Sequence, residues 1–292
     1  MTRAGVNRAV GATVFALLCF AANSVLCRMA LRQPHIDPAS FMSIRLCSGA
    51  VTMWLLLRAR GGQRKVAGDW TTALMLLAYA VTFTFAYLGL TAGTGALLLF
   101  GAVQVAMIAA GFAAGERIDL TTACGWVIAV AGLILLLLPG VSAPPALDAV
   151  LMLIAGIAWG MYSLRGRRSQ RPLADTAGNF MRAVPGTLLV SALFWSHRTA
   201  DVEGVVLAVL SGSIASGLGY MAWYSALPRL GAIAAANAQL SVPVIAALAG
   251  VVLFSEPITG RLAAASVLVL GGSALAVRRR LMMQAARTAG GS

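Results

Sequence analysis

Residues 120–138 read LTTACGWVIAVAGLILLLL, and this stretch decides the fold class. Its 19 residues include no Asp, Glu, Lys, Arg or His. A helix that crosses the roughly 30 Å hydrocarbon core of a bilayer needs about 20 predominantly apolar residues. The alternation of apolar and polar residues typical of a barrel strand is absent. The stretch therefore predicts a membrane-spanning α-helix.

Nine further apolar segments resemble this one, and the overall composition agrees with them. Of 292 residues, 60% are hydrophobic and only 11% are charged, whereas a soluble domain carries about 25% charged residues. The sequence predicts an all-α polytopic membrane protein with ten transmembrane helices and no room for a separate soluble domain. The other predicted spans are residues 9–30, 38–57, 71–90, 94–115, 148–164, 176–195, 204–227, 231–254 and 260–277.

The basic residues predict the orientation of these spans. Of the 22 Lys and Arg residues, Arg45 and Arg182 lie within spans, 16 lie on one side, and four lie on the other. Because cytoplasmic loops are rich in Lys and Arg, both termini and the basic tail 278–292 are predicted to be cytoplasmic. The predicted location is a bacterial inner membrane. Orientation accounts for the net charge of +13 without a nucleic-acid partner.

The two halves of the chain, residues 9–138 and 148–277, repeat similar residues at an offset of about 140. Because each half holds five spans, an odd number, the second half must be inverted in the membrane. Inverted repeats are typical of alternating-access transporters, with the substrate site between the halves. The matched positions are Asn23-Ser24 with Tyr162-Ser163, Arg28 with Arg167, Arg45 with Arg182, Glu116 with Glu256, and Gly132 with Gly272.

Several motifs resemble a known family. Residues 240–248 read LSVPVIAAL and are followed by Glu256-Pro257, Ala-Trp-Gly stands at 158–160, and Arg45 and Arg182 come early in the second span of each half. Over about residues 9–277 the sequence is similar to the ten-helix EamA-type branch of the drug/metabolite transporter superfamily, and most similar to its bacterial exporters of amino acids, including aromatic ones. It departs from the pattern at Phe20-Ala21-Ala22, where the family usually has Trp-Gly, and at Val103, which corresponds to Pro243 of the second half.

This resemblance implies helices around a central cavity and export of a metabolite or drug from the cytoplasm. All nine acidic residues and both histidines lie in loops or at span ends, away from the midplane where proton relays lie. We therefore expect uniport or exchange, most directly of neutral or aromatic amino acids; proton-coupled efflux of drugs or other metabolites is the alternative. The expected partners are a small-molecule substrate and lipid, with no cofactor or metal. Both halves lie in one chain, so a monomer suffices.

Aromatic and charged residues within the spans are candidates for the substrate site. Tyr79 and Phe83 share one helical face, and Trp159 lies within the sixth span beside Gly160. Tyr79 and Phe83 could line the cavity or anchor their helix at the membrane interface. Trp159 could form an apolar wall of the site or pack against a small residue. Arg45, about seven residues into the second span, could attract a substrate carboxylate or extend its stem to the outer membrane face.

Amides and helix-bending residues complete the candidates. Asn23, Gln104 and Asn237 could bind the polar groups of a zwitterion or join helices to one another. Pro243 and Pro185 each remove a helical hydrogen bond, and together with Gly219 they are candidate gating hinges.

Two other classes of function receive little support. An intramembrane enzyme needs clustered Asp, Glu or His for metal or acid–base chemistry, and no Asp-x-x-Asp or His-x-x-His motif occurs. No segment resembles the filter of a channel. The sequence therefore predicts a transporter and not an enzyme.

Overall fold

The computed structural model describes residues 3–33, 35–59, 66–113, 120–140, 143–167, 169–226 and 238–289. Within these ranges the chain forms ten helices and no sheet beyond one isolated β-bridge between Ile36 and Ala200. The prediction of an all-helical protein is confirmed. The helices are α1 (Arg3–Arg32), α2 (Pro38–Ala59), α3 (Trp70–Ala86), α4 (Ala92–Ala113), α5 (Leu120–Leu137), α6 (Ala146–Gly166), α7 (Pro172–Leu193), α8 (Val202–Ala226), α9 (Ser241–Phe254) and α10 (Gly260–Ala289).

Most of these helices have the composition of membrane spans. Six, namely α1 from Val10 onward, α2, α4, α5, α6 and α8, are at least 18 residues long and apolar enough to cross a bilayer. Helices α3, α9 and the first half of α10 are apolar but shorter. Helix α7 carries Asp175, Asn179 and Arg182 in its first half. These helices are consistent with a polytopic membrane protein, and the number of ten spans stays a prediction.

Helices α1 and α7 begin at Arg3 and Pro172, before the predicted residues 9 and 176, and the predicted start of α9 at residue 231 lies outside the described residues. Two helix C-terminal ends differ from the predicted boundaries by more than two residues. Helix α3 ends at Ala86, because the Tyr87 amide bonds to the Thr84 carbonyl and the chain turns before residue 90. Helix α10 continues beyond residue 277 to Ala289, so residues 278–289 of the segment predicted as a basic tail are helical. No Gly or Pro interrupts residues 273–289, and Arg, Leu, Met and Ala favour helix.

Helix packing follows a regular pattern across the two halves. Helix α1 packs on α8 and α9, and its counterpart five helices later, α6, packs on α3 and α4. Helix α2 packs on α8 as α7 packs on α3. The remaining principal contacts join α2 with α7, α4 with α9, and α5 with α10. Each principal contact between two helices therefore has an equivalent contact between the two helices whose numbers differ from theirs by five.

Helix α8 contains an unusual segment that shapes the centre of the molecule. Residues Ser211–Leu218 form π-helical turns, which are wider than α-helical ones and common at functional sites. Gly212 lies so close to α2 that an added Cβ would overlap the Arg45 carbonyl oxygen and Ser48 Oγ. The backbones of α2 and α8 therefore meet here, and the wide turns direct Ser211 and Ser216 towards α1 and α2.

Candidate functional site

A hydrogen-bonded cluster centred on Tyr79 lies buried where α1, α2, α3 and α8 meet. Asn23 Nδ2 on α1 donates to Tyr79 Oη at 3.0 Å, and Arg45 Nη2 on α2 donates to the same oxygen at 3.1 Å. Three predicted site residues therefore lie in direct contact. Tyr79 Oη thus accepts hydrogen bonds from two buried nitrogen donors, which are costly to leave unpaired in an apolar interior.

The π-helical segment of α8 completes this cluster. Ser211 Oγ donates to Asn23 Oδ1 at 2.6 Å, and Arg45 Nε donates to Ser216 Oγ at 3.3 Å. Asn23 thus joins α1 to α3 and α8, which is the interhelical role that the sequence left open beside substrate binding. Helices from both predicted halves contribute to one polar network.

Aromatic rings form the wall next to this network. The centroid of Tyr79 lies 5.2 Å from that of Phe83 and 5.1 Å from that of Trp159. Trp159 also contacts Phe20 at 5.9 Å and Tyr220 at 4.8 Å. Rings at these separations and tilts attract one another, and their faces could equally stack on a planar ligand. The predicted residues Tyr79, Phe83 and Trp159 therefore belong to one aromatic wall.

Arg45 is the one charged side chain described within this cluster, and it is only 1% exposed. An Arg at the centre of a spanning helix costs at least about 2.5 kcal/mol. Part of this cost is offset by the rings of Tyr79 and Phe83, whose centroids lie 5.3 and 4.9 Å from the guanidinium carbon. The guanidinium lies inside the protein, which disfavours the alternative that its stem extends to the outer membrane face.

The cluster encloses only a small space. The cavity between the aromatic wall and α4 has a volume of about 10 Å³, room for at most one water molecule. A larger ligand would need the surrounding helices to move apart. The cavity is lined by Phe20, Asn23, Tyr79, Phe83, Leu99, Phe100, Trp159 and Tyr220.

The other predicted site residues lie around this cluster. Gln104 is buried on α4, one turn after Phe100 and on the same face. Gly219 follows the π-helical segment, and a Cβ added there would lie 2.6 Å from Cys19 Cβ on α1, so it permits close packing. Asn237 lies outside the described residues.

The two predicted proline hinges occupy different environments. Pro243 lies in the first turn of α9, where its missing N–H costs no helical bond, because α9 begins at Ser241. The segment before it is interrupted at Leu240. Pro185 lies within α7, which continues through it to Leu193 on an exposed face.

Several residues of the site were not among the sequence candidates. Phe20 was noted only as a departure from the family pattern, yet it contacts Trp159, Tyr220 and Trp223. Helical periodicity does not indicate Ser211 or Ser216, because a π-helical turn changes which residues share a face. The available signal is compositional: residues 211–216 read SGSIAS, a run with three serines within an apolar span.

One end of the bundle is closed by buried charge; we name it the sealed end. It is the end where α1, α3 and α9 terminate and α4 begins. Arg28 Nε lies 3.0 Å from Glu256 Oε1, with the two side chains 14% and 9% exposed. Glu256 Oε2 accepts from the Ala92 amide at 2.9 Å, and Arg28 Nη1 donates to the Tyr87 carbonyl at 3.3 Å. One ion pair therefore connects four helices.

The local sequence explains why Glu256 reaches Arg28. Helix α9 ends with Ser255 in the left-handed conformation at φ 53°, and the Glu256 amide bonds back to the Gly250 carbonyl at 3.2 Å. This helix ending turns the chain sharply, and Pro257 prevents the helix from resuming. Arg32 Nη1 caps the same helix by donating to the Phe254 carbonyl at 2.8 Å.

The opposite end, where α2 terminates and α7 begins, contains a large cavity; we name it the open end. Its volume is about 340 Å³, within the usual range for small-molecule sites. Tyr224 lines it and lies one helical turn from Tyr220 of the aromatic wall. The cavity is lined by Met53, Leu57, Gln170, Arg171, Pro172, Leu173, Thr176, Met221, Tyr224 and Ser225.

Comparisons with known proteins agree with this architecture. The model of the EamA-like transporter family matches residues 147–278. The uncharacterized protein PA1977 of Pseudomonas aeruginosa is 51% identical over 270 residues, which is 92% of this chain and 94% of that protein. Residues 147–278 are therefore an EamA-like transporter domain. This domain points to a membrane transporter rather than an enzyme.

Two more distant relatives extend the comparison. A protein of Archaeoglobus fulgidus named as an uncharacterized transporter is 27% identical to this transporter over 217 residues, covering 71% of this chain and 77% of that protein. A crystal structure matches with a TM-score of 0.66 at 20% identity, covering 91% of this chain and 95% of the other. At that identity the match shows the fold alone.

Proposed function

We propose that this transporter exports neutral and aromatic amino acids from the bacterial cytoplasm by alternating access, as a uniporter or exchanger. The observation that carries the proposal is the buried polar and aromatic cluster around Tyr79, which lies between a sealed end and an open end. A site closed from one side and approached from the other is what a carrier needs. Membership of a transporter family supports the same function.

The packing of the helices supports the predicted inverted repeat of residues 9–138 and 148–277. The principal helix contacts of one half have equivalents in the other half, five helices along the chain. Such equivalence is expected of two similar halves related by a two-fold axis. Movement of one half against the other would open the sealed end and close the open end. Both halves belong to one chain, so a monomer is sufficient.

In this proposal the aromatic wall stacks on the apolar part of the substrate, while the neighbouring polar groups bind its charged ends. Phe83 and Trp159 supply ring faces beside Tyr79. Asn23 and Gln104 supply amides, and Asn237 is the candidate counterpart of Gln104 in the second half. Pro243, Pro185 and Gly219 stay candidate hinges. The predicted orientation places the open end at the cytoplasmic side of the inner membrane.

Uptake of radiolabelled phenylalanine and leucine into proteoliposomes without a pH gradient tests the proposal. We expect saturable uptake that accelerates when the vesicles are preloaded with unlabelled substrate. Vesicles whose protein insertion is verified but which take up neither amino acid would overturn the substrate class. Uptake that appears only with an imposed pH gradient would overturn uniport and exchange in favour of proton coupling.

A pair of tryptophan variants tests whether the aromatic wall is the site. Trp159→Ala removes a ring of the wall, whereas Trp195→Ala removes an exposed ring stacked on Arg198 at the sealed end. We expect uptake to fall strongly in the first variant and to persist in the second. Equal uptake by both variants would place the substrate elsewhere.

A further inference from the structure

The guanidinium of Arg45 can donate more hydrogen bonds than the two that the structure describes for it. Its Nε and Nη2 donate to Ser216 and Tyr79, but Nη1 is buried without a hydrogen-bond partner among the residues that the structure describes. Buried polar groups are nearly always paired, so an unpaired one needs an explanation. An Nη1 that gains its acceptor when a ligand enters the cluster provides one.

The charge of Arg45 is also unmatched. Both of its bonds go to neutral hydroxyls, and among the described residues no carboxylate lies within 4.0 Å of it. The buried carboxylate of the sealed end, Glu256, is occupied by Arg28 and the Ala92 amide. A buried cation without a counter-ion is unfavourable unless something else supplies the negative charge.

The surroundings indicate what kind of anion would fit. The guanidinium lies over the rings of Tyr79 and Phe83, and Trp159 continues the same wall. Aromatic faces bind planar apolar groups, while a guanidinium binds a carboxylate through two parallel hydrogen bonds. A single cation matches one negative charge, so a phosphate dianion would be left partly uncompensated.

We propose that Arg45 is the subsite for the carboxylate of the substrate, and that the ligand class is an organic monocarboxylate with a planar apolar group. This inference rests on the proposed function and narrows it: the carboxylate of an aromatic amino acid is required, whereas its ammonium group is dispensable. Binding supplies the acceptor for Nη1 and the counter-charge for the guanidinium.

Four matched ligands test this on the unaltered full-length protein in detergent. Phenylalanine carries both charged groups, 3-phenylpropionate only the carboxylate, and phenethylamine only the ammonium; phenylalaninamide has its carboxylate blocked. We expect the first two to raise the thermal unfolding temperature at similar concentrations. The last two should bind about ten- to a hundredfold more weakly, as expected when a hydrogen-bonded charge is lost.

Variants of Arg45 then test whether its guanidinium binds the carboxylate of the ligand. Arg45→Gln should abolish the preference of carboxylates over the amide, and Arg45→Lys, which keeps the charge, should retain part of it. Arg182→Gln is the matched control, because Arg182 is the counterpart in the second half and bonds to the Ala67 carbonyl away from the cluster. The preference should persist in this control.

The outcomes separate this inference from the proposed function. Equal binding of 3-phenylpropionate and phenethylamine by the unaltered protein would overturn the inference even if amino acids are transported. An unchanged preference in Arg45→Gln would also overturn it. Should carboxylates bind selectively through Arg45 while no amino acid crosses the vesicle membrane, the inference stands and the proposed function fails. If Arg45→Gln does not fold, the ligand series on the unaltered protein decides.

Discussion

The sealed end and the open end of this protein lie on either side of the cluster around Tyr79 and are held by different kinds of interaction. At the sealed end, the ion pair between Arg28 and Glu256 is 3.0 Å long and largely buried. At the open end, the ion pair between Arg165 and Asp69 is 3.9 Å long, and both side chains are about half exposed. The first pair also bonds to backbone groups of two further helices.

This difference indicates how the conformation with one sealed end is stabilised. Exposed ion pairs contribute little, whereas removal of one partner from a buried pair is costly. We therefore expect the sealed end to be held shut by specific bonds. The open end presents a cavity of about 340 Å³ with Met53, Leu57 and Leu173 in its lining, which apolar packing could close in another state.

The largest expected effect is a contrast in chemical accessibility between the two ends. On a background in which Cys19, Cys27, Cys47 and Cys124 are replaced, Ser225→Cys places a thiol at the exposed rim of the open cavity. Ser24→Cys places one beneath the sealed end at a position only 1% exposed. A polar maleimide should label the first protein in detergent much faster than the second. Equal labelling rates would contradict the assignment of the two ends.

The second effect is on stability and concerns the buried ion pair. Glu256→Ala leaves Arg28 without its counter-ion and the Ala92 amide without its acceptor, so we expect a loss of about 3 kcal/mol. Arg165→Ala, which breaks the exposed pair, should cost less than about 1 kcal/mol. Thermal unfolding in detergent measures both. If the two variants lose similar stability, the sealed end does not depend on its ion pair.

The same substitution should change which end is accessible. Adding Glu256→Ala to the Ser24→Cys protein should accelerate its labelling, because the helices joined by the pair can then separate. Arg165→Ala in the same protein is the control and should leave the rate unaltered. Unchanged labelling with Glu256→Ala would mean that other contacts hold the sealed end shut.

The sequence predicted the helices well because their signals are local. A run of about 20 apolar residues is visible without knowledge of its neighbours, and the segment at 120–138 corresponds to α5 (Leu120–Leu137). Tyr79 and Phe83 were recognised from their spacing on one helix. Arg45 was recognised because a charge in an apolar run needs partners, and its partner is Tyr79.

Other parts of the site depend on contacts between distant segments and left no local signal. Phe20 is one apolar residue among many, and only the packing of α1 on α8 brings it to Trp159 and Tyr220. The bond between Ser211 and Asn23 joins residues 188 positions apart. The π-helical turns also alter the 3.6-residue period on which face assignments rest.

A glycine at the sealed end offers a smaller perturbation. A Cβ added to Gly250 would lie 2.6 Å from Glu256 Oε2 and 3.3 Å from Ala92 Cβ. Gly250→Ala should therefore displace the carboxylate from the Ala92 amide and cost about 1 kcal/mol. Gly271→Ala on α10 meets nothing within 4 Å and is the matched control, expected to be neutral or slightly stabilising because alanine favours helix. Equal unfolding temperatures for the two variants would contradict this geometry.

The smallest effect depends on pH and concerns the loop that joins α1 to α2 at the sealed end. His35 Nδ1 lies 2.7 Å from Asp201 Oδ2, and Glu203 Oε2 lies 3.8 Å from the other ring nitrogen. The hydrogen bond and the charges of Asp201 and Glu203 raise the pKa of His35 above its ordinary value. Bonds from the Gly204 amide and from His35 lower the pKa of Asp201, so this carboxylate stays ionised near neutral pH.

Because the folded pKa of His35 is raised, its pairing with Asp201 stabilises the folded state fully at pH values below the ordinary histidine pKa of about 6.5. The contribution is lost as the pH rises through the raised pKa of the folded protein. The unfolding temperature of the unaltered transporter should therefore fall, relative to that of His35→Gln, between about pH 6 and pH 8. His197→Gln changes the other histidine at this end and should keep the profile of the unaltered protein. If His35→Gln and the unaltered protein follow parallel profiles, the loop does not contribute a protonated histidine to the sealed end.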